Sequence, residues 1–221
     1  GYQTMKMGLD LWMGDREHDG LYFPFPVKWL DCELANNFLE TELSNRPDSR
    51  GLMIIRPDDN PDRVKQNIID NQFCGFKVYH VFSDRKDTFN ANQEEFMPEW
   101  AWEIADQHDL WITMHIVKRT GLSDPSNWQY IRKFCLKYPN VKFVLAHAAR
   151  GFNASHTCEA IHFIKDLDNV FFDSSAICEP AALEAILKAT GSTPTDVRER
   201  LSRLPITWQG HFGWRRFYVA L

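Results

Sequence analysis

What this sequence has little of narrows it at once. Among its 221 residues are five cysteines, Cys32, Cys74, Cys135, Cys158 and Cys178, an odd number, widely spaced and without a C-x-x-C pair. Neither a disulfide framework nor a zinc knuckle is indicated, and free buried thiols are expected. No apolar run approaches the ~20 residues of a membrane span, and Gly1-Tyr-Gln-Thr-Met-Lys lacks the character of a signal sequence. A cytoplasmic protein is expected. Lysine and arginine are scattered rather than striped, and the formal net charge of −5 with a pI near 5.9 argues against nucleic acid and membranes as partners. With no low-complexity tract, internal repeat or linker to divide it, residues 1–221 are expected to form a single domain.

What is present is apolar material in a regular arrangement. The chain is 44% hydrophobic and 14% aromatic with a mean hydropathy of −0.41, enough for a sizeable core. Short apolar runs alternate with helical patterns. The runs are Gly20 to Pro26, a poor strand because of its prolines, then Leu52 to Ile55, Gly75 to Tyr79, Leu110 to Ile116, Val141 to Ala148, Val170 to Ala176 and a last candidate within Pro205 to His211. Between them lie helices at about Val27 to Ser44, with Leu30, Leu34, Asn37, Phe38 and Thr41 on one face, then from Pro61, around Ala101 to Ala105, from Pro125, around Cys158 to Leu167, and from Pro180 to a stop at Gly191. Seven strand candidates in alternation with helices predict an α/β chain of the (β/α)8 TIM-barrel class, incomplete by a strand and expected to be a segment of a longer protein.

Two histidines close apolar strands one repeat apart. His115 ends Leu110-Trp-Ile-Thr-Met-His and His147 ends Val141-Lys-Phe-Val-Leu-Ala-His. Strand alternation puts Thr113 and Trp111 on the inner face with His115, and Leu145, Phe143 and Val141 on the inner face with His147. Two neutral imidazoles from adjacent strands can share one divalent ion; a buried histidine bonded to a carbonyl is the alternative that spacing alone leaves open.

The stretches Gly75-Phe-Lys-Val-Tyr, Trp111-Ile-Thr-Met-His, Leu145-Ala-His-Ala-Ala-Arg-Gly-Phe-Asn and Phe171-Phe-Asp-Ser-Ser-Ala resemble the middle strands of the amidohydrolase superfamily, in its amidohydrolase 2 branch. The resemblance runs in register from about Gly20 to Ala189. It implies a metal-dependent TIM barrel with His115 and His147 as metal ligands, and as cofactor a divalent ion, zinc first and manganese or iron as alternatives. Two departures stand out. Nothing before Gly20 supplies the family's first-strand His-x-His, which is expected upstream of Gly1. The region matching the last-strand Asp reads Ile206-Thr-Trp-Gln-Gly-His-Phe-Gly-Trp, where His211 is the candidate replacement.

Lys77, Asp173 and His211 are therefore the candidate catalytic residues and Arg150 the candidate substrate-binding residue. Lys77 has the phase of an inward ammonium. Arg150 follows His147 on the rim and can hold an anionic group, and Asp173 can orient a ligating imidazole through its second nitrogen or serve as a turn residue with Ser174 and Ser175. His18, His80, His108, His156 and His162 fall in loops or on helices and are assigned no task. The function implied is a metal-dependent hydrolase of a small carbonyl, amide or carboxylated molecule. A non-oxidative decarboxylase of the same fold and a catalytically inactive scaffold or remnant are the alternatives. The partner expected is a small-molecule substrate; a homo-oligomer is left open.

Overall fold

The computed structural model describes residues 1–14, 20–46, 48–71 and 73–191. Among them, six parallel strands lie side by side in chain order: β1 (Leu21–Tyr22), β2 (Arg50–Ile54), β3 (Phe73–Val78), β4 (Trp111–Met114), β5 (Lys142–Leu145) and β6 (Val170–Phe172). Parallel neighbours need crossovers, which run through α2 (Cys32–Leu43), α3 (Pro61–Asp70), α4 (Glu99–Gln107), α5 (Pro125–Lys137) and α6 (Ala154–Ala160); α1 (Tyr2–Met13) precedes β1 and α7 (Pro180–Thr190) follows β6. Strictly sequential strand order is that of a (β/α)8 barrel rather than a doubly wound sheet. The sheet is six strands of such a barrel, and the seventh candidate, Pro205 to His211, lies outside the described residues.

Local chemistry sets the helix boundaries. Asp31, Asn60 and Asp124 cap α2, α3 and α5 by accepting the main-chain N–H of Leu34, Arg63 and Ser126, and Pro61, Pro125 and Pro180 sit at first helical positions, where a missing N–H costs nothing. The prolines at 24 and 26 confine β1 to two residues.

The two faces of the sheet are chemically distinct. Toward the helices, Met53, Phe76, Val78, Ile112, Met114, Phe143 and Leu145 join a core centred on Trp102 of α4, whose ring lies 4.8 Å from Phe143 and 5.4 Å from Phe134 and whose indole N–H donates to the Tyr130 hydroxyl at 2.9 Å. On the concave side, Leu52 and Trp111 pack with Leu21, Phe23, Cys74, Val144 and Phe171. His115 therefore continues the inward phase of Trp111 and Thr113, as alternation predicts. His147 does not: Val141, Phe143 and Leu145 face the helices, and Val144 faces the interior. Strand phase alone would send His147 outward.

The first crossover corrects a second expectation. Leu34 and Phe38, expected inward, are 67% and 55% exposed, while α2 buries Asn36, Leu39 and Leu43. Asn36 takes the buried face because its amide donates to the carbonyl of Ile54 and accepts from the Ile54 N–H, both at 2.9 Å. It thus pairs main-chain groups at the end of β2 that would otherwise be buried and unpaired. Asn36→Ala should lower the free energy of unfolding by about 2 kcal/mol or more, and Phe38→Ala by less than about 0.5 kcal/mol. Chemical denaturation checks this, and the reverse ordering would mean that the hydrophobic pattern, not the Asn36 pairing, fixes the face of α2.

Candidate metal centre

The register of β3, β4 and β5 aligns Lys77 with Thr113 and Val144 in one inward layer. Lys77 is 4% exposed, and its ammonium lies 5.0 Å from the Phe23 ring and 5.6 Å from the Tyr79 ring. Above this layer, at the C-terminal ends of the strands, are Tyr79, His80, His115, His147 and Asp173. Lys77, His115, His147, Arg150 and Asp173 are thus brought to one rim, where barrels of this class keep their chemistry. His211 lies outside the described residues.

His147 reaches the rim through an unusual backbone. His147, Ala148, Ala149 and Arg150 all have positive φ, at 56°, 50°, 60° and 60°, so β5 ends in a single left-handed turn made of non-glycine residues. Each such residue costs about 1–2 kcal/mol relative to right-handed backbone, and a run of them persists only where surrounding groups impose it. Asp173 is the principal one. Its carboxylate accepts the His147 N–H at 3.0 Å and its carbonyl accepts the Ala148 N–H at 2.7 Å. The buried Thr157 hydroxyl donates to the carbonyl of Ala148 at 2.9 Å, and the Gly151 N–H donates to that of His147 at 2.7 Å. The turn reverses the strand phase and brings the imidazole round to within 5.1 Å of the His115 ring, centroid to centroid.

Asp173 also fixes the imidazole, but through an intermediary. Its nearest oxygen is 3.9 Å from His147 Nδ1, too far for a hydrogen bond. The Ser175 hydroxyl stands between them, donating to Asp173 at 2.5 Å and lying 2.8 Å from Nδ1, while the Ser175 carbonyl is 3.0 Å from the same nitrogen. A carbonyl only accepts, so Nδ1 carries the proton and Nε2 the lone pair. The sequence placed Asp173 near the imidazole but missed the relay through Ser175, which a turn motif alone does not announce.

His115 is 8% exposed, and its Nδ1 is buried with no hydrogen-bond partner. Burial first, and then the Lys77 charge, push its pKa down to about 3, so the ring is neutral over the ordinary pH range, as a metal ligand must be. His80, assigned no task from the sequence, belongs to the same cluster. It is 2% exposed, its ring is 6.0 Å from His115, 4.6 Å from Tyr79 and 4.7 Å from Phe89, and burial together with the Arg150 charge pushes it down to about 4. Arg150 donates to the Lys118 carbonyl, its guanidinium is 5.7 Å from the Phe89 ring, and its Nε is buried without a partner.

Two imidazoles that share a tetrahedral ion at ~2.0–2.1 Å per nitrogen have ring centroids about 5 Å apart. The 5.1 Å between His115 and His147, with one unpartnered buried nitrogen on the first ring and a fixed Nδ1–H tautomer on the second, fits such a pair. Among the described residues, no group of three or more His, Cys, Asp or Glu side chains is placed to hold an ion. The pair would therefore supply two ligands of a coordination sphere and not a complete one.

Comparison with known proteins agrees with this architecture. Residues 31–206 match the sequence model of a family described as Amidohydrolase. No curated protein matches the chain. Among solved structures it is similar to an amidohydrolase from Burkholderia multivorans with bound zinc, at a TM-score of 0.57 and 11% identity over 86% of this chain and 69% of that one. It is also similar to a 2,6-dihydroxybenzoate decarboxylase complexed with 2,6-dihydroxybenzoate, at 0.52 and 12% over 72% and 62%. A dihydroxybenzoic acid decarboxylase from Polaromonas sp. JS666, with bound manganese and the inhibitor 2-nitroresorcinol, is similar at 0.50 and 14% over 72% and 61%. At identities this low the likeness shows a shared fold alone. The chain spans about three fifths of the length of these decarboxylases. Among the described residues no helix is long and apolar enough to cross a membrane.

Lys77 gives the site a pH signature. Burial pushes its ammonium down from 10.5 to about 8, against a smaller opposing pull from Asp173. Below about pH 8 folded and unfolded chains both carry the proton, and the folded chain bears the full cost of a buried charge. Between about 8 and 10.5 the folded chain releases the proton while the unfolded chain keeps it, so stability rises with pH across that window by roughly 3 kcal/mol in total. Unfolding free energies of wild type and Lys77→Met, measured from about pH 7 to pH 10.5, should converge as pH rises, with the variant the more stable at neutral pH. Parallel profiles would mean that the ammonium is hydrated.

Proposed function

The chain belongs to the amidohydrolase family, and on that premise we propose that it is the core of a metal-dependent hydrolase, folded as one domain and acting on a small acidic molecule with a carbonyl or amide group. The observation that carries this reading is the His115–His147 pair, two imidazoles 5.1 Å apart with one nitrogen unpartnered and the other ring locked in one tautomer. His115 and His147 would hold the ion, with zinc, manganese and iron as the candidate metals. A divalent ion between them supplies Lewis acidity and lowers the pKa of bound water to ~7.

The chain's own residues do the rest. Asp173 and Ser175 act on His147 rather than on substrate: one oxygen of Asp173 accepts the His147 N–H, the Ser175 N–H and the Ser175 hydroxyl, which keeps Nε2 of His147 as the free donor atom. This assigns Asp173 a positioning task in place of direct chemistry. Lys77 and Arg150 are buried or half-buried cations beside the imidazoles, and among the described residues neither forms an ion pair with a carboxylate. A buried cation without a counter-ion is costly unless a ligand brings one. Lys77 and Arg150 are accordingly the groups that orient an acidic substrate, and the rings of Tyr79, 5.6 Å from the Lys77 ammonium, and Phe152, 5.2 Å from the His147 ring, border the same place.

The same cations favour a second reading, a non-oxidative decarboxylase, in which Lys77 or Arg150 binds an acidic group of the substrate and stabilises the negative charge left on it as carbon dioxide departs and a proton takes its place. Both readings require the ion. Metal analysis of the purified full chain should find zinc, manganese or iron near stoichiometry in wild type and at least tenfold less in His115→Ala and His147→Ala. Wild type without metal, or variants that keep as much, would remove the reading. With a metal-loaded chain, a screen of small carboxylated substrates that releases carbon dioxide selects the decarboxylase, and carbonyl or amide cleavage without it selects the hydrolase.

A further inference from the structure

One buried imidazole on the rim has no part in the arrangement above. His80 follows β3, is 2% exposed, and is held from one side only: its Nδ1 lies 2.9 Å from the Thr88 hydroxyl, while its Nε2, pointing away from that hydroxyl, is buried without any partner. Buried polar atoms are almost always satisfied, so an orphan at a site marks the place of a missing partner. The surroundings indicate which kind. The ring is 6.0 Å from His115, and Phe89 is shared between it and Arg150, at 4.7 Å from the His80 ring and 5.7 Å from the guanidinium. Tyr79 lies 4.6 Å away on the chain side and itself borders the Lys77 ammonium. The ring that carries the orphaned nitrogen is therefore packed between Tyr79 and Phe89, with His115 6.0 Å away and Arg150 against the same Phe89 ring.

A purely structural histidine would not need that second nitrogen. Anchorage by Thr88 and packing on Phe89 and Tyr79 are served by Nδ1 and the ring faces, and leaving Nε2 buried and unpaired lowers stability. We propose that His80 is a substrate-contacting residue of this site, oriented by Thr88 so that Nε2–H donates to an anionic oxygen of the bound substrate. In this arrangement the Thr88 hydroxyl would donate to Nδ1, with the proton on Nε2. Lys77 and Arg150 then supply charge to the acidic ligand, and His80 supplies a directional hydrogen bond that fixes its register relative to His115 and His147. The inference rests on the acidic-substrate reading of the site and adds to it the residue that discriminates how the acid is oriented.

The test uses the zinc-loaded full chain with benzoate, a planar carboxylate suited to ring-lined walls, titrated by calorimetry into wild type, His80→Phe and His80→Gln, with Tm and zinc affinity measured for each. His80→Phe keeps the ring packing and removes the donor; the glutamine amide restores a donor near the Nε2 position. The expected result is a loss of benzoate affinity of about tenfold or more in His80→Phe and within about threefold of wild type in His80→Gln, with zinc affinity unchanged and the Tm of His80→Phe equal to or above wild type. Equal benzoate affinity in wild type and His80→Phe overturns the proposal and leaves the acidic-substrate reading standing. Loss of zinc in both variants also overturns it, because His80 would then serve the metal pair. Wild type that takes up zinc but not benzoate removes the acidic-ligand reading, and this proposal with it.

Discussion

The carboxylate of Asp173 is the constraint on which the rim depends. A parallel strand delivers its side chains alternately to two faces, and β5 has Leu145 committed to the helical core, so an imidazole two residues later is directed away from the interior. The four left-handed residues from His147 to Arg150 reverse that direction. Asp173, from the end of the neighbouring strand, holds the turn by side chain and main chain at successive N–H groups, and through Ser175 it also sets which nitrogen of His147 bears the proton. Backbone strain, ring orientation and tautomer are thus governed from one residue. Charge-assisted hydrogen bonds of this kind are among the stronger ones available, at roughly 1.5–3 kcal/mol each, comparable with the strain of a left-handed residue.

Around this clamp the electrostatics have one sign. Burial keeps His115 and His80 neutral, Lys77 and Arg150 add charge close by, and the positive field of Lys77 further disfavours protonation of His115. Neutral imidazoles are in the state in which a histidine can ligate a metal, and the cations beside them suit an anionic ligand next to the pair. The same arrangement explains why Asp173 is engaged by N–H and O–H donors rather than by Lys77, whose ammonium rests over aromatic rings. The site is fixed at the expense of stability, in keeping with the concentration of strain and unpaired polar atoms at one end of the barrel.

Much of this was legible in the sequence, and the failures share a physical origin. Strand positions, the phase of Lys77 and His115 and the place of Asp173 follow from period-two alternation, because those residues lie on or one step beyond regular strand. His147 lies on the rim, but not for the reason strand alternation gives: alternation ends at Leu145, and no local signal in Ala146-His-Ala-Ala-Arg marks left-handed backbone, since alanine disfavours it. Hydrophobic spacing puts Leu34 and Phe38 inward on α2, whereas Asn36 is buried for its hydrogen bonds to Ile54, an interaction between residues distant in the chain that hydrophobicity does not encode. Nothing in the sequence singles out His80, because a residue beyond the strand end has no fixed phase; Phe89 and Thr88, later in the chain, fold back against it.

The most direct test of the account is a crystal structure of the zinc-soaked chain with anomalous scattering at the zinc edge. The predicted result is one ion, with a nitrogen of His115 and Nε2 of His147 each ~2.0–2.1 Å away and residues 147–150 left-handed under the Asp173 carboxylate. An ion bound elsewhere, or a right-handed turn that carries His147 away from His115, would contradict it.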